Sequence, residues 1–285
     1  MTAQPVIRPL SLDEVGQLID WAAGEGWNPG LDDAAAFHAA DPDGFIGCFV
    51  DGRLAAGISA VRYGADFGFI GLYIAHPDFR SRGFGRLAWD AGMAHLDGRT
   101  IGLDGVPEQQ ANYRSMGFVA AYRTIRWSGR ITDDAMAFGQ VEAFADIHSA
   151  EDFEADIVAY DRTVFPADRA AFLSVWLEPP RITRVVAPGG GIAGYAVCRK
   201  CREGYKIGPL FADGFDEAMQ LLKACAAEAD GETLHIDVPE SQTAFSAALE
   251  ALGFSQGFVT ARMYRGAAPE MPMSRVFGVT TLELG

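Results

Sequence analysis

Arg80-Ser-Arg-Gly-Phe-Gly-Arg86 sets three arginines and two glycines in a short run directly before a helical pattern. Glycines let the backbone approach an anion, arginines supply charge, and a helix N-terminus adds unpaired N–H groups. The chemistry is phosphate binding, and two readings compete. Gly83-Phe-Gly85-Arg-Leu-Ala88 matches Gly-x-Gly-x-x-Ala, a dinucleotide fingerprint, with Asp104 about 20 residues on as a ribose partner. Arg80-x-x-Gly83-x-Gly85 instead reads as a pyrophosphate cradle of another kind. In the dinucleotide fold the first glycine follows its strand almost at once, whereas here residues 76–82 separate Gly83 from the apolar run ending at Ala75. The preceding strands also form a meander with short turns, while parallel neighbours need a crossover. The second cradle fits better.

The elements that must hold this loop follow from apolar periodicity and turn residues. Strands are expected at VIRPL, GFIGCFV, LAAGISAVRY, FGFIGLYIA, TIGLD and FVAAYRTIRWSG. Helices are expected over SLDEVGQLIDWAAGEG, LDDAAAFHAAD, Gly83 to about Leu96, and PEQQANYRSM. The order is β-α-α-β-β-β-α-β-α-β, and the second half repeats it. Gly57-Ile-Ser-Ala-Val pairs with Gly194-Tyr-Ala-Val-Cys, and Ile70-Gly-Leu-Tyr-Ile-Ala75 with Ile207-Gly-Pro-Leu-Phe-Ala212, both at an offset of 137 residues. Tyr113-Arg-Ser-Met-Gly-Phe118 matches Leu249-Glu-Ala-Leu-Gly-Phe254 at 136. A near-constant offset marks two copies of one fold. We expect domains at 1–130 and 138–285 with a polar linker at 131–137. The fold class is α/β with mixed sheets, each copy a mostly antiparallel central sheet with helices on both faces.

With IGLYIAHPDFRSRGFG and YRSMGF in this order of elements, the first half resembles the general-control-nonderepressible-related N-acetyltransferase (GNAT) superfamily. The resemblance implies acetyl-CoA as co-substrate and transfer of its acetyl group to a primary amine. It places the pantetheine arm along Leu72, Tyr73 and Ile74, with a backbone N–H polarising the thioester. It places the pyrophosphate on Arg80, Ser81, Arg82, Gly83, Phe84, Gly85 and Arg86. Tyr113 matches the general acid of many relatives, able to protonate the departing thiolate. No carboxylate precedes Leu72 where some relatives carry a base, so His76, Asp66 and Asp104 are the candidates, with water chains as another route. Where relatives often carry a CoA-contacting Asn seven residues before the tyrosine, this chain has Val106. Glu25, Trp27 and Asn28 lie in the loop that borders the acceptor in the superfamily.

The second copy lacks these groups. Glu217-Ala-Met-Gln-Leu-Leu222 replaces the glycine cradle, Pro209 stands at the position of Leu72 without an N–H, and Leu249 replaces Tyr113. We expect it not to bind CoA but to complete the acceptor pocket or stabilise the first copy. His235 and Asp237 share one face of a strand and are candidates to line that pocket. The late segment SRVFGVTTLELG is strand-like and is expected to pair back onto a sheet.

Bulk properties bound the partners. The net charge of −15, concentrated after residue 130, disfavours nucleic acid and anionic membranes and suits a small cationic amine. No apolar run reaches membrane-spanning length and the start lacks a secretory pattern, so a cytoplasmic protein is expected. Cys198 and Cys201 form a lone C-x-x-C on an extended segment, whose odd spacing is poor metal geometry, so no metal is expected. Two fused copies are compatible with a monomer or a homodimer. The leading reading is an acetyl-CoA-dependent N-acetyltransferase; the rival is a non-catalytic acyl-CoA-binding or sensing module.

Overall fold

The computed structural model describes residues 4–131, 147–149, 151 and 153–285. Of the expected linker, residues 132–137 lie outside the described residues, as do 138–146 at the expected start of the second domain. The first half runs β1 (Val6–Pro9), α1 (Leu12–Gly24), α2 (Asp33–Ala40), β2 (Phe45–Val50), β3 (Arg53–Tyr63), β4 (Phe67–Ala75), α3 (Phe84–His95), β5 (Thr100–Gly105), α4 (Gln110–Ser115) and β6 (Val119–Gly129). The second runs β7 (Ile147–Ser149), α5 (Glu154–Asp161), α6 (Ala170–Trp176), β8 (Ile182–Val186), β9 (Gly194–Lys200), β10 (Tyr205–Ala212), α7 (Phe215–Glu228), β11 (Leu234–Pro239), α8 (Thr243–Ala251), β12 (Ser255–Arg265) and β13 (Val276–Gly278).

Local sequence accounts for the elements. Ser11 and Glu14 form a capping box that starts α1, and Val15, Leu18, Ile19 and Ala22 then recur at helical spacing as its buried stripe. Along β4, Phe67, Phe69, Leu72 and Ile74 enter one core while Ile70 enters another. The first core is shared by α1 and α2 with α5 and α6, so helices of both halves cover one side together. The other side carries separate cores under α3 and α7.

Pairing between the halves was not visible in the sequence. Among the described residues there is one continuous sheet, in the order β1-β2-β3-β4-β5-β12-β6-β11-β10-β9-β8-β7, with β13 added beside β10. The last long strand of each half lies inside the other: β12 pairs with both β5 and β6, and β6 with both β12 and β11. At this seam the repeat produces two equivalent ion pairs. Arg262 on β12 stands opposite Asp104 on β5, and Arg126 on β6 stands opposite Asp237 on β11. Both are bidentate, at 2.8–3.0 Å, with almost no exposed side-chain surface.

Each copy also carries the same irregularity. Between Gly57↔Ile74 and Ser59↔Gly71, β4 spends one residue more than β3, and Leu72 takes a left-handed φ of 46°. This is a β-bulge. The parallel pairing of β4 with β5 stops just before it, at Ile70↔Leu103. In the second half β10 slips by one residue against β9 between Ile207 and Leu210, and its pairing with β11 stops at Ile207. Past the bulge the two copies diverge. In the second half β13 pairs with β10 at Leu210↔Gly278 and Phe211↔Val276, and Val279 N–H donates to Asp237 O of β11 at 2.9 Å. The chain therefore fills the split between β10 and β11 with its own later segment, which pairs back as its sequence suggested.

Candidate active site

The arginine–glycine loop leaves β4 through a 3-10 turn at Pro77–Phe79 and enters α3 at Phe84. Ser81 and Gly83 have φ of 59° and 86°, and no side chain caps the N-terminus of α3. Alternating left-handed residues before an uncapped helix turn several N–H groups the same way, which is the geometry of an anion nest. Arg82 lies over the rings of Phe79 and Phe84, and Arg86 pairs with Asp90 one turn on at 2.7 Å. Gly85 faces Tyr73, where a Cβ would come 3.2 Å from the phenol oxygen. The residues present fit a pyrophosphate. Arg80 is directed differently: its Nε donates to Ala75 O at 3.0 Å and its guanidinium pairs with Glu25.

Beside the bulge opens a cavity of about 600 Å³. Its walls include Leu72 and Tyr73 of β4, Glu25 and Trp27 from the loop after α1, Arg80, and Tyr113 of α4. Leu72 and Ile74 are buried core residues, so their contribution to the open strand edge is through backbone. Tyr113 is 9% exposed and stacks on Trp89 with ring centroids 5.7 Å apart. Burial pushes its phenol up to about 12. Its hydroxyl lines the cavity wall with no hydrogen-bond partner among the described residues.

Several expected residues lie elsewhere. Asp66 sits in the exposed turn before β4, six residues from Leu72, or roughly 20 Å of strand. His76 is turned away from the cavity: its Nδ1 accepts from Asp78 N–H at 3.2 Å and its ring packs on Trp21. Asp104 reaches the cavity wall, but Arg262 holds both of its oxygens, which disqualifies it as a free base. Asn28 clamps the two halves, exchanging 2.9 Å and 3.0 Å hydrogen bonds with the backbone of Glu203. His235 is not a pocket residue; it bonds Ser128 Oγ at 2.8 Å and approaches Glu203 O at 3.1 Å. Burial lowers its pKa, so it stays neutral near pH 7. Asp237 lies behind the wall and orients Arg126, which does line the cavity.

The sequence reading offered the second half as completing the pocket but missed the residues that form its wall. Phe258 and Thr260 come from the exchanged strand β12, and Leu282 and Glu283 from the segment after β13. That segment is fixed where it crosses β4. Ser59 Oγ donates to Glu283 O at 3.4 Å, Tyr63 O–H to Leu284 O at 3.1 Å, and Leu284 N–H to Thr281 Oγ1 at 2.9 Å. A Cβ at Gly71 would fall on the Glu283 carbonyl and only 2.6 Å from its Cα, so only glycine allows this crossing. Gly71→Val is expected to displace residues 280–285 and to cost about 1–3 kcal/mol of stability. Hydrogen exchange would check it: amides at 282–285 should lose protection while those of α7 keep theirs.

Two family models match the chain: the Acetyltransferase (GNAT) family over residues 12–119 and an Acetyltransferase (GNAT) domain over residues 157–278. A holothin acyltransferase from a Pseudoalteromonas species is 32% identical over 281 residues, covering 98% of this chain and 94% of that protein. An acetyltransferase-like protein of Pyrococcus horikoshii superposes with a TM-score of 0.81 at 19% identity, covering 99% of this chain and 96% of that one. A tandem GNAT protein from the clavulanic acid biosynthesis pathway superposes with a TM-score of 0.63 at 17% identity, covering 94% and 100%. Both superpositions speak to the fold. Matched along nearly its whole length, the chain belongs to the GNAT acyltransferases, with two GNAT domains in tandem.

Proposed function

We propose that the first half transfers an acetyl group from acetyl-CoA to a primary amine of a small cationic molecule by direct attack, with Tyr113 as general acid. The observation that carries this reading is the cavity joining the bulge of β4 to the unpartnered phenol of Tyr113. When bound, acetyl-CoA supplies an activated carbonyl and a thiolate leaving group. The amine nitrogen attacks the carbonyl carbon, the C–S bond breaks and an amide forms. A backbone N–H at the open edge of β4 would donate to the carbonyl oxygen. Tyr113 gives its proton to the sulfur, and the nitrogen's surplus proton must go to a base. The nest of residues 81–86 would hold the pyrophosphate and so fix the thioester along β4.

Charge supports a cationic acceptor. Of the carboxylates on the cavity wall, Glu25 and Asp104 are neutralised by Arg80 and Arg262, while Glu108 and Glu283 form no ion pair among the described residues. The holothin acyltransferase relative makes holothin the first acceptor to try.

The test is release of free CoA thiol from acetyl-CoA in the presence of holothin and a series of primary amines. Amine-dependent release with formation of the amide is expected. Binding without turnover by any amine would favour an acyl-CoA-binding module instead. The pH profile adds a check on Tyr113. With its proton held to about 12, the acid stays protonated through the working range, so kcat/KM should show no descending limb below pH 10. A descending limb centred near pH 9 would show an acid of lower pKa.

A further inference from the structure

The proposed reaction leaves a proton on the acceptor nitrogen, and each base suggested by the sequence is held or placed elsewhere. Four carboxylates reach the cavity wall: Glu25, Asp104, Glu108 and Glu283. Glu25 is paired with Arg80, and Asp104 is gripped by Arg262. Glu108 lies in the exposed 3-10 turn after β5, open to water. Glu283 is different. The residue is 5% exposed, its backbone is pinned by Ser59 against Gly71, and its carboxylate makes no hydrogen bond or ion pair among the described residues. It lines the cavity.

Building on the acyl-transfer reading, we propose that Glu283, delivered into the first half's cavity by the segment after β13, is the base that accepts the proton of the attacking amine. As the N–C bond forms, one N–H proton passes to a Glu283 oxygen; as the C–S bond breaks, the Tyr113 proton passes to sulfur. The carboxylic acid and phenolate left behind are reset through solvent between turnovers. The same placement gives the second copy a task. Without a cradle of its own, it supplies the strand and the late segment that complete the other copy's site.

The competing role for Glu283 is structural. Buried Lys206 donates to the carbonyls of Trp27 and Asn28, at 3.3 Å and 2.8 Å, and has no ion-pair partner among the described residues. Glu283 would then serve only as its distant counter-charge, beside the paired cations Arg126 and Arg199. A base and a counter-charge respond differently to substitution.

The experiment uses the full chain with Glu283→Gln, Glu283→Asp and the double variant Lys206→Met/Glu283→Gln. Turnover of acetyl-CoA is followed from pH 6 to 10 with an amine that the wild type acetylates, alongside calorimetric acetyl-CoA affinity and melting temperature. The expected result is a loss of about 100-fold in kcat for Glu283→Gln near neutral pH. That loss should shrink as pH rises and hydroxide or free amine takes over, with acetyl-CoA affinity within about twofold of wild type. Glu283→Asp should recover part of the rate, and the double variant should recover melting temperature without recovering turnover. A Glu283→Gln variant as fast as wild type, a loss equal at every pH, or turnover restored in the double variant would overturn the proposal and leave acyl transfer standing. A wild type that acetylates no amine would remove the acyl-transfer reading and this inference with it.

Discussion

Replacing Tyr113 with phenylalanine is expected to lower kcat about 10²–10³-fold while leaving acetyl-CoA affinity within about twofold. The substitution removes one oxygen and little else. The ring stacks on Trp89 and packs on Phe118, contacts a phenylalanine keeps, so no cavity is created in the core under α3. The hydroxyl has no hydrogen-bond partner among the described residues, so its removal strands no donor or acceptor among them. What disappears is a proton donor held protonated by burial at the wall of the cavity. Steady-state kinetics with the acceptor saturating, together with a calorimetric titration, separate the two quantities. A rate equal to wild type would remove Tyr113 from the mechanism. A proportional loss of affinity would make it a wall residue.

The second large effect concerns stability. Arg262→Ala is expected to destabilise the protein by about 3–5 kcal/mol, because it leaves Asp104 buried without its counter-ion. Burial already pushes the Asp104 carboxyl up against the opposing pull of Arg262, so loss of the arginine drives it towards the neutral acid. Denaturant unfolding measures the loss. The double variant Asp104→Leu/Arg262→Met should recover most of it, since removing both charges removes the desolvation cost that their attraction offsets. The same variants address the chemistry. If Asp104 held the seam and nothing more, the double variant would fold and keep turnover within about tenfold of wild type. If Asp104 were the base, it would fold and be inactive.

The architecture of each copy was legible because its signals are local. Ser11 and Glu14 cap α1, apolar alternation marks β2 to β4, and Gly83 opens α3 where the glycine pattern placed it. The loop proposed to hold the pyrophosphate has a legible backbone for the same reason: its residues are neighbours in sequence and carry their geometry in their own φ values. The seam was not. Nothing in the composition of β6 or β12 says that each will pair inside the other half, since a strand's partner is set by tertiary packing. Without that seam, Asp104 stands among the base candidates and Asp237 among the pocket residues. Both read as free carboxylates because their arginine partners, 158 and 111 residues away, lie across the exchanged strands. Glu283 was passed over for the converse reason: a single acid in a short apolar segment gives no sign of the cavity it will reach. The internal repeat held the one usable clue. Arg126 and Arg262 lie 136 residues apart, at the offset of the repeat, which points to matching roles in the two copies but not to the carboxylate that each meets across the seam.

The central claim, that the first half holds acyl-CoA and the second does not, is most directly tested by calorimetric titration of the full chain with acetyl-CoA, with NAD as control. One site per chain for acetyl-CoA and none for NAD is the predicted result, because the split beside β4 is open while β13 fills its counterpart beside β10. Two acetyl-CoA sites would mean that β13 yields to the pantetheine arm. Absence of acetyl-CoA binding, or binding of NAD in its place, would contradict the account.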